Sequence, residues 1–190
     1  FVDEEVVQNW AHQLIASLGS VVPGVVPKIN QFSASLMGRR HYVDDSHGVF
    51  VSQRRVRFNE MEYSVPAEHG PACLREILKR IDDGNLRTWM PVEYRYVKAD
   101  DIPLSMFEGR DSCALSIHQH HSMDHREFFA AIEPIFWKYE GRPHWGKLHT
   151  LRADELRELY PRFDDFVALR NDVDPNRVFA NQYLTRTLGE

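Results

Sequence analysis

Three observations predict an α+β fold, an antiparallel sheet flanked by helices. Segments of strand character and segments of helical period are mixed along the chain. Their order lacks the regular strand–helix alternation of a parallel sheet. The chain has 190 residues, 43% hydrophobic and 27% charged, an ordinary globular composition with enough length for one domain and a core.

The elements follow in order. Val6, Val7, Trp10, Leu14, Ile15 and Leu18 recur at steps of three and four, with Asp3 as N-cap and Gly19 as stop. This predicts a first helix. Pro23, Gly24 and Pro27 interrupt the chain, and a short helix follows toward Leu36 or Met37. Gly38 to Gly48 reads as a loop. Val49 to Phe58 and Met61 to Val65 are β-branched and aromatic with partial alternation, and Pro66 ends the second run. Leu74, Ile77, Leu78 and Ile81 share a face, which predicts a helix over Pro71 to Ile81 with Gly84 past its end. Trp89 to Val97 and Ser112 to His120 read as strands. Asp124 to Tyr139 reads as a helix, with Asp124 at the N-cap, Glu127 three residues on, and a kink or early break at Pro134. Ala153 to Tyr160 and Phe163 to Asn171 are two short helices separated by Pro161. Asp174 to Leu188 is expected to be irregular or extended.

Composition excludes several functions. Lys+Arg number 23 against 28 Asp+Glu, a formal charge of -5, so there is no global pull on nucleic acid or anionic lipid. No apolar run reaches the roughly 18–20 residues of a membrane span. Cys73 and Cys113 are too few for a disulfide framework or a structural zinc site; they read as small core residues and fit a reducing, cytoplasmic setting, with membrane association left open. There is no glycine-rich dinucleotide or phosphate loop and no nucleophile elbow. The chain begins at Phe1 with neither an initiator Met nor a signal-peptide pattern, so it is expected to be a piece of something longer.

Three constellations could carry chemistry. Glu93 and Arg95, two apart in a strand, project from one face. They can hold a polyhydroxyl substrate, or they are a solvent-exposed charge pair. Ser116, His118 and His120 share a strand face. They suit a divalent metal if His144, His149 or Asp124 completes the set, or they are polar residues facing a cavity or solvent. Gly141-Arg-Pro-His144-Trp-Gly-Lys147 is a sharp loop whose Lys147 and Trp145 can hold an anion or an electron-rich ring, or it is an ordinary turn.

Phe58-Asn-Glu-Met-Glu-Tyr-Ser-Val-Pro66, Val92-Glu93-Tyr-Arg95, Arg142-Pro-His-Trp-Gly-Lys147, Leu159-Tyr-Pro and Asp174-Pro-x-x-x-Phe179-x-Asn181 occur in that order. Together they resemble the C-terminal half of the sugar-1,4-lactone oxidases, the group acting on D-arabinono-, L-gulono- and L-galactono-lactones. The alditol oxidases are close relatives, and all are flavoproteins of the vanillyl-alcohol-oxidase type. The resemblance covers residues 58–190, and its most specific element is the His144–Lys147 loop.

The resemblance implies a two-domain enzyme. An N-terminal domain holds FAD, often covalently through a histidine, and a C-terminal cap lays an antiparallel sheet over the flavin. Residues 1–190 then form a single C-terminal cap or substrate domain, and the partner is an FAD-binding domain upstream in the full-length chain. Glu93 and Arg95 match the family's Glu-x-Arg pair facing flavin and substrate. Lys147 matches the lysine at the flavin–substrate edge, with His144 beside it on the cofactor side. Ser116 and His118 occupy strand positions where alditol oxidases place a His and a Thr, so the types depart from that pattern. His118 is then a candidate base for the hydroxyl proton, and His120 a lesser one. The implied catalytic residues are Glu93, Arg95, His118 and Lys147; the implied substrate contacts are these with Ser116. The metal reading of the histidines recedes. The implied reaction is oxidation of an aldono-1,4-lactone at a CH–OH carbon. The alternatives are an alditol or xylitol oxidase, and a non-enzymatic sugar-acid or metal-binding module. A cap without its FAD domain is expected to expose apolar surface and to self-associate.

Overall fold

The computed structural model describes residues 43–51, 57–88 and 90–189. The helices expected before Met37 and most of the loop expected up to Gly48 lie outside the described residues. The described residues fall into two compact units, one of 43–51, 57–59, 87–88 and 119–125, the other of 60–86, 90–118 and 126–189.

The element order is α1 (Ser46–Phe50), β1 (Phe58–Pro66), a 3-10 turn (Ala67–His69), α2 (Gly70–Asp83), β2 (Glu93–Val97), β3 (Ser112–His120), α3 (Arg126–Lys138), β4 (Arg142–Pro143), α4 (Ala153–Leu159), α5 (Phe163–Val173) and α6 (Gln182–Leu188). The strands form one sheet in the order β2–β3–β1–β4. The β2/β3 and β1/β4 pairs are antiparallel. The α+β expectation is met.

Alternation along the two central strands divides the sheet into two faces. Met61, Tyr63 and Val65 of β1 and Cys113, Leu115 and Ile117 of β3 enter the hydrophobic core. There they meet Cys73 and Ile77 of α2 and Phe128, Phe129, Ile132, Ile135 and Phe136 of α3. Tyr63 stacks on Phe136 with ring centroids 4.7 Å apart. Leu156, Tyr160, Phe163 and Leu188 extend this core under the C-terminal helices. Both cysteines are fully buried free thiols, and burial pushes the Cys73 thiol up to about 12. The other residues of the alternation, Glu60 and Glu62 with Ser116 and His118, form the opposite, polar face. Cross-strand register places Glu93 beside Ser116 and Arg95 beside Ala114. That face is where the functional groups collect.

Four expectations need correction. Val49 and Phe50 end α1 instead of beginning a strand, because Val49 N and Val51 N bond locally to Asp45 O and His47 O; residues 52–56 lie outside the described set. Of the kink or early break expected at Pro134, the early break does not occur, since α3 continues to Lys138. One missing backbone donor is outweighed by the burial of Ile132, Ile135 and Phe136 on either side of it. Residues 182–188 are helical, because Asn181 Oδ1 accepts from Leu184 N at 2.9 Å and Thr187 and Leu188 are buried. Of the segment read as Trp89 to Val97, Trp89 lies outside the described residues, and residues 90–92 precede the sheet, which begins at Glu93, since Pro91 has no N–H to give a ladder. Among the described residues, no helix is long and apolar enough to cross a membrane.

Glu133 joins three parts of the larger unit. Its buried carboxyl accepts from Tyr63 Oη at 2.6 Å, Thr150 N at 2.7 Å and Thr150 Oγ1 at 2.8 Å. Replacement by Ala leaves three donors without their acceptor, so Glu133→Ala is expected to destabilise by about 3 kcal/mol. Glu133→Gln, which keeps one acceptor oxygen, should cost less. Urea unfolding measures both; equal and small losses would refute this role.

Candidate functional site

Strand β1 organises the polar face. Its pairing with β4 aligns Tyr63 with Pro143 and Ser64 with Arg142. The chain then continues beside β1: His144 N donates to Glu62 O at 2.9 Å and Leu148 N to Glu60 O at 2.9 Å. Between these two anchors the chain bulges outward. Lys147 N donates to His144 O at 3.0 Å, and Gly146 N donates to His144 Nδ1 at 2.9 Å, which closes a tight turn. A Cβ on Gly146 would lie 3.3 Å from the His144 ring, so a side chain there crowds the turn. Trp145 secures the loop from below. Its Nε1 donates to Leu104 O at 2.8 Å, its ring lies 4.9 Å from that of Tyr160, and its carbonyl accepts from Tyr183 Oη.

This backbone delivers Lys147 to Glu60. Nζ of Lys147 donates to Glu60 Oε2, while the other oxygen, Oε1, is 3.4 Å from His118 Nε2. His118 Nε2 is also 3.9 Å from Glu93 Oε1. Arg95 stands across the sheet. Its Nη2 donates to Glu62 Oε1 at 3.1 Å and to Ser116 Oγ at 3.3 Å, and its Nη1 is 3.6 Å from Glu93 Oε2. Glu60, Glu62, Glu93, Arg95, Ser116, His118 and Lys147 thus form one connected cluster drawn from three strands and a loop.

Exposure divides the cluster into two layers. The side chains of Arg95, Glu93 and Lys147 are 51%, 32% and 29% exposed, whereas that of His118 is 1% exposed. Glu62 and Ser116 are buried. A ligand on this face therefore meets Arg95, Glu93 and Lys147 first. Burial raises the pKa of Glu60, but hydrogen bonds from His118 and Lys147 outweigh it and hold the carboxyl at about 2. Glu60 is accordingly a fixed negative charge. Two cations, three carboxylates and an imidazole can donate to carbonyl oxygens, accept from hydroxyls and carry a proton.

The structure brings together five residues singled out by sequence: Glu93, Arg95, Ser116, His118 and Lys147. His144 sits at the base of the loop with its Nδ1 engaged by Gly146 N. His120 belongs to the smaller unit, where its Nδ1 is 2.7 Å from Ser122 Oγ. His149 is buried, with Nε2 3.1 Å from Tyr183 Oη. Among the described residues, no three His, Cys, Asp or Glu side chains converge to hold a metal ion. A cavity of about 500 Å³ bordered by Arg152, Asp154, Gln182 and Arg186 shares no residue with the cluster. Glu60 and Glu62 were not singled out from sequence. Their signal was the alternation against Met61, Tyr63 and Val65, which places them opposite the core.

Comparison with known proteins adds an independent finding. Residues 1–187 match a family described as D-arabinono-1,4-lactone oxidase. An L-gulono-1,4-lactone dehydrogenase of Mycobacterium tuberculosis is 40% identical over 182 residues, 96% of this chain and 42% of the relative. The L-gulonolactone oxidase of Bos taurus is 32% identical over 177 residues, 89% of this chain and 40% of the relative. An alditol oxidase of a Streptomyces species is 34% identical over 128 residues, 66% of this chain and 30% of the relative. The chain spans about two fifths of the length of the lactone-named relatives it matches here.

The charge on Glu60 has a pH signature. Its folded pKa of about 2 lies below the ordinary 4.5, so the stability it contributes is present above pH 4.5 and is lost as pH falls toward 2. Glu60→Gln is expected to cost about 2 kcal/mol at pH 7. In urea unfolding at several pH values, the gap to the unmodified chain should narrow steadily below pH 4.5. A gap that stays constant with pH would contradict the assignment of this charge.

Proposed function

The chain belongs to the D-arabinono-1,4-lactone oxidase family, and on that footing we propose that it is the substrate-binding cap of an FAD-dependent oxidoreductase that oxidises an aldono-1,4-lactone at a carbon bearing a hydroxyl. The observation that carries this reading is the set Arg95, Glu93 and Lys147, exposed or partly exposed, standing over partly buried Glu60 and buried Glu62, Ser116 and His118. A neutral lactone suits it chemically. The lactone oxygens accept from Arg95 or Lys147, and the ring hydroxyls donate to Glu93. An anionic sugar acid suits it less, since carboxylates outnumber fixed cations in the cluster. The names of the relatives matched over most of the chain also favour a lactone over an alditol.

The residues fit the edge of a flavin ring. An isoalloxazine presents carbonyl oxygens and becomes more negative on reduction, and Arg95 and Lys147 are two partly exposed cations held by carboxylates on one face. FAD supplies the acceptor for the hydride that leaves the carbinol carbon. Lys147 is assigned to the flavin side, with His144 shaping the turn that carries it. The sequence has no glycine-rich phosphate motif, so the proposed partner is an FAD-binding domain of the same longer protein.

The chain's own residues then divide the work. Arg95 orients the substrate oxygen and stabilises negative charge developing on it. Glu62 and Ser116 hold the guanidinium for that task. Glu93 accepts the hydrogen bond from the reacting hydroxyl and takes its proton. His118, 3.9 Å behind Glu93 Oε1, stands where it can carry that proton onward. Packing of the loop onto β1 keeps Lys147 from swinging into solvent.

The test uses the full-length, FAD-loaded protein and a panel of aldono-1,4-lactones and alditols. Glu93→Ala and Arg95→Ala are each expected to lower kcat/KM for lactones by about 100-fold or more, with flavin content unchanged. Turnover untouched by both substitutions would sink the assignment of the pair. Turnover of alditols with none of lactones would replace the substrate class.

A further inference from the structure

Glu60 is held back from the substrate-facing layer, with its side chain only 13% exposed, yet the loop cation and the buried imidazole both converge on it. We propose that Glu60 is a positioning residue of this site, fixing the Lys147 ammonium and the His118 imidazole as one charge-linked set. This deepens the lactone-oxidoreductase reading and rests on it.

Four observations carry the proposal. Each carboxylate oxygen of Glu60 has its own partner, Oε2 for Lys147 Nζ and Oε1 for His118 Nε2, so neither partner displaces the other. The main chain repeats the arrangement: Glu60 O accepts from Leu148 N, the residue after Lys147. One residue therefore holds the loop at its backbone and at its charged tip. A lysine stem of four methylenes has many rotamers, and a partly buried carboxylate selects the one that keeps the ammonium on the sheet face. Glu93, the other carboxylate near His118 Nε2, is farther away and more exposed, at 3.9 Å and 32%.

The groups facing this set come from every element around it. Glu62 shares β1, Glu93 and Arg95 lie on β2, Ser116 and His118 on β3, and Lys147 on the loop after β4. Arg95 is bound by Glu62 and is approached by Glu93. That leaves Glu60 as the carboxylate that balances Lys147. The set holds three carboxylates against two fixed cations, and Glu60 and Glu93 are its carboxylates near His118 Nε2, so a proton passing to the imidazole meets negative charge already on the sheet face. Glu60 acts through Lys147 and His118 and does not itself touch substrate.

The test compares Glu60→Gln, which keeps the shape and removes the charge, with Glu60→Asp, which keeps the charge one methylene farther back. Both are made in the full-length, FAD-loaded protein. The first readout is independent of turnover: the rate at which an amine-acylating reagent labels Lys147, followed by peptide mass spectrometry. Labelling is expected to rise about fivefold or more in Glu60→Gln, because the ammonium is no longer held by a charged partner. The second readout is steady-state kinetics with an aldono-1,4-lactone. Glu60→Gln should lower kcat about tenfold or more while KM stays within about threefold, and Glu60→Asp should recover part of the loss. An unchanged kcat overturns the proposal even if labelling rises, and unchanged labelling overturns it whatever kcat does. If Glu60→Gln does not fold, Glu60→Asp decides alone: labelling and kcat both equal to those of the unmodified protein would overturn it. An unmodified protein that oxidises no lactone sinks the functional reading, while the labelling arm still decides whether Glu60 holds Lys147.

Discussion

Two acidic side chains, Glu60 and Glu62, lie on the inner part of a sheet face, and the arrangement around them depends on each being answered by a cation. A carboxylate removed from water costs several kcal/mol unless charge and hydrogen bonds replace the solvent. Lys147 and His118 meet that demand for Glu60, and Arg95 meets it for Glu62. The requirement reaches far along the chain. It asks that the loop after β4 turn back onto β1, and that β2 pair with β3 in the register that sets Arg95 beside Ala114. The apolar face of the same strands makes the sheet stable; the polar face decides which loops and strands must accompany it.

The same constraint explains how a stable element can present charged groups to a ligand. Glu62 is buried and Glu60 largely so, and both are fixed by their partners. Their cations are partly exposed, so they keep hydrogen-bonding capacity toward a ligand. Arg95 uses one edge of its guanidinium on Glu62 and Ser116 and remains about half exposed. Preorganisation of this kind lowers the cost of orienting donors when charge develops on a substrate. Lysine would serve poorly at position 95, because a single ammonium cannot match the fork that meets Glu62, Ser116 and Glu93 together.

Much of this was legible in the sequence. The limits of β3 and the faces of β1 and β3 follow from alternation, and the Glu93/Arg95 pair and the His144–Lys147 loop stand out by residue type and spacing. What was not legible depended on pairing across the sheet. Nothing local to Glu60 says that a lysine 87 residues later will meet it. The C-terminal helix was missed for a local reason: Asn181 is an N-cap, but Thr185 and Thr187 weaken the helical pattern after it, and burial of Thr187 and Leu188 supplies what propensity does not. Of the kink or early break expected at Pro134, the break does not occur, because core packing on both sides of it carries α3 on to Lys138.

On the proposed function, Glu60 and Glu62 act on substrate only through the cations they hold. A double-mutant cycle over Glu62 and Arg95 tests it most directly, read as the rate of flavin bleaching when an aldono-1,4-lactone is mixed anaerobically with the full-length, FAD-loaded protein. Strong coupling is expected: in the Arg95→Gln background, Glu62→Gln should alter the rate by no more than about twofold, although it slows the protein that retains Arg95 by about tenfold. Two losses that multiply independently would contradict it.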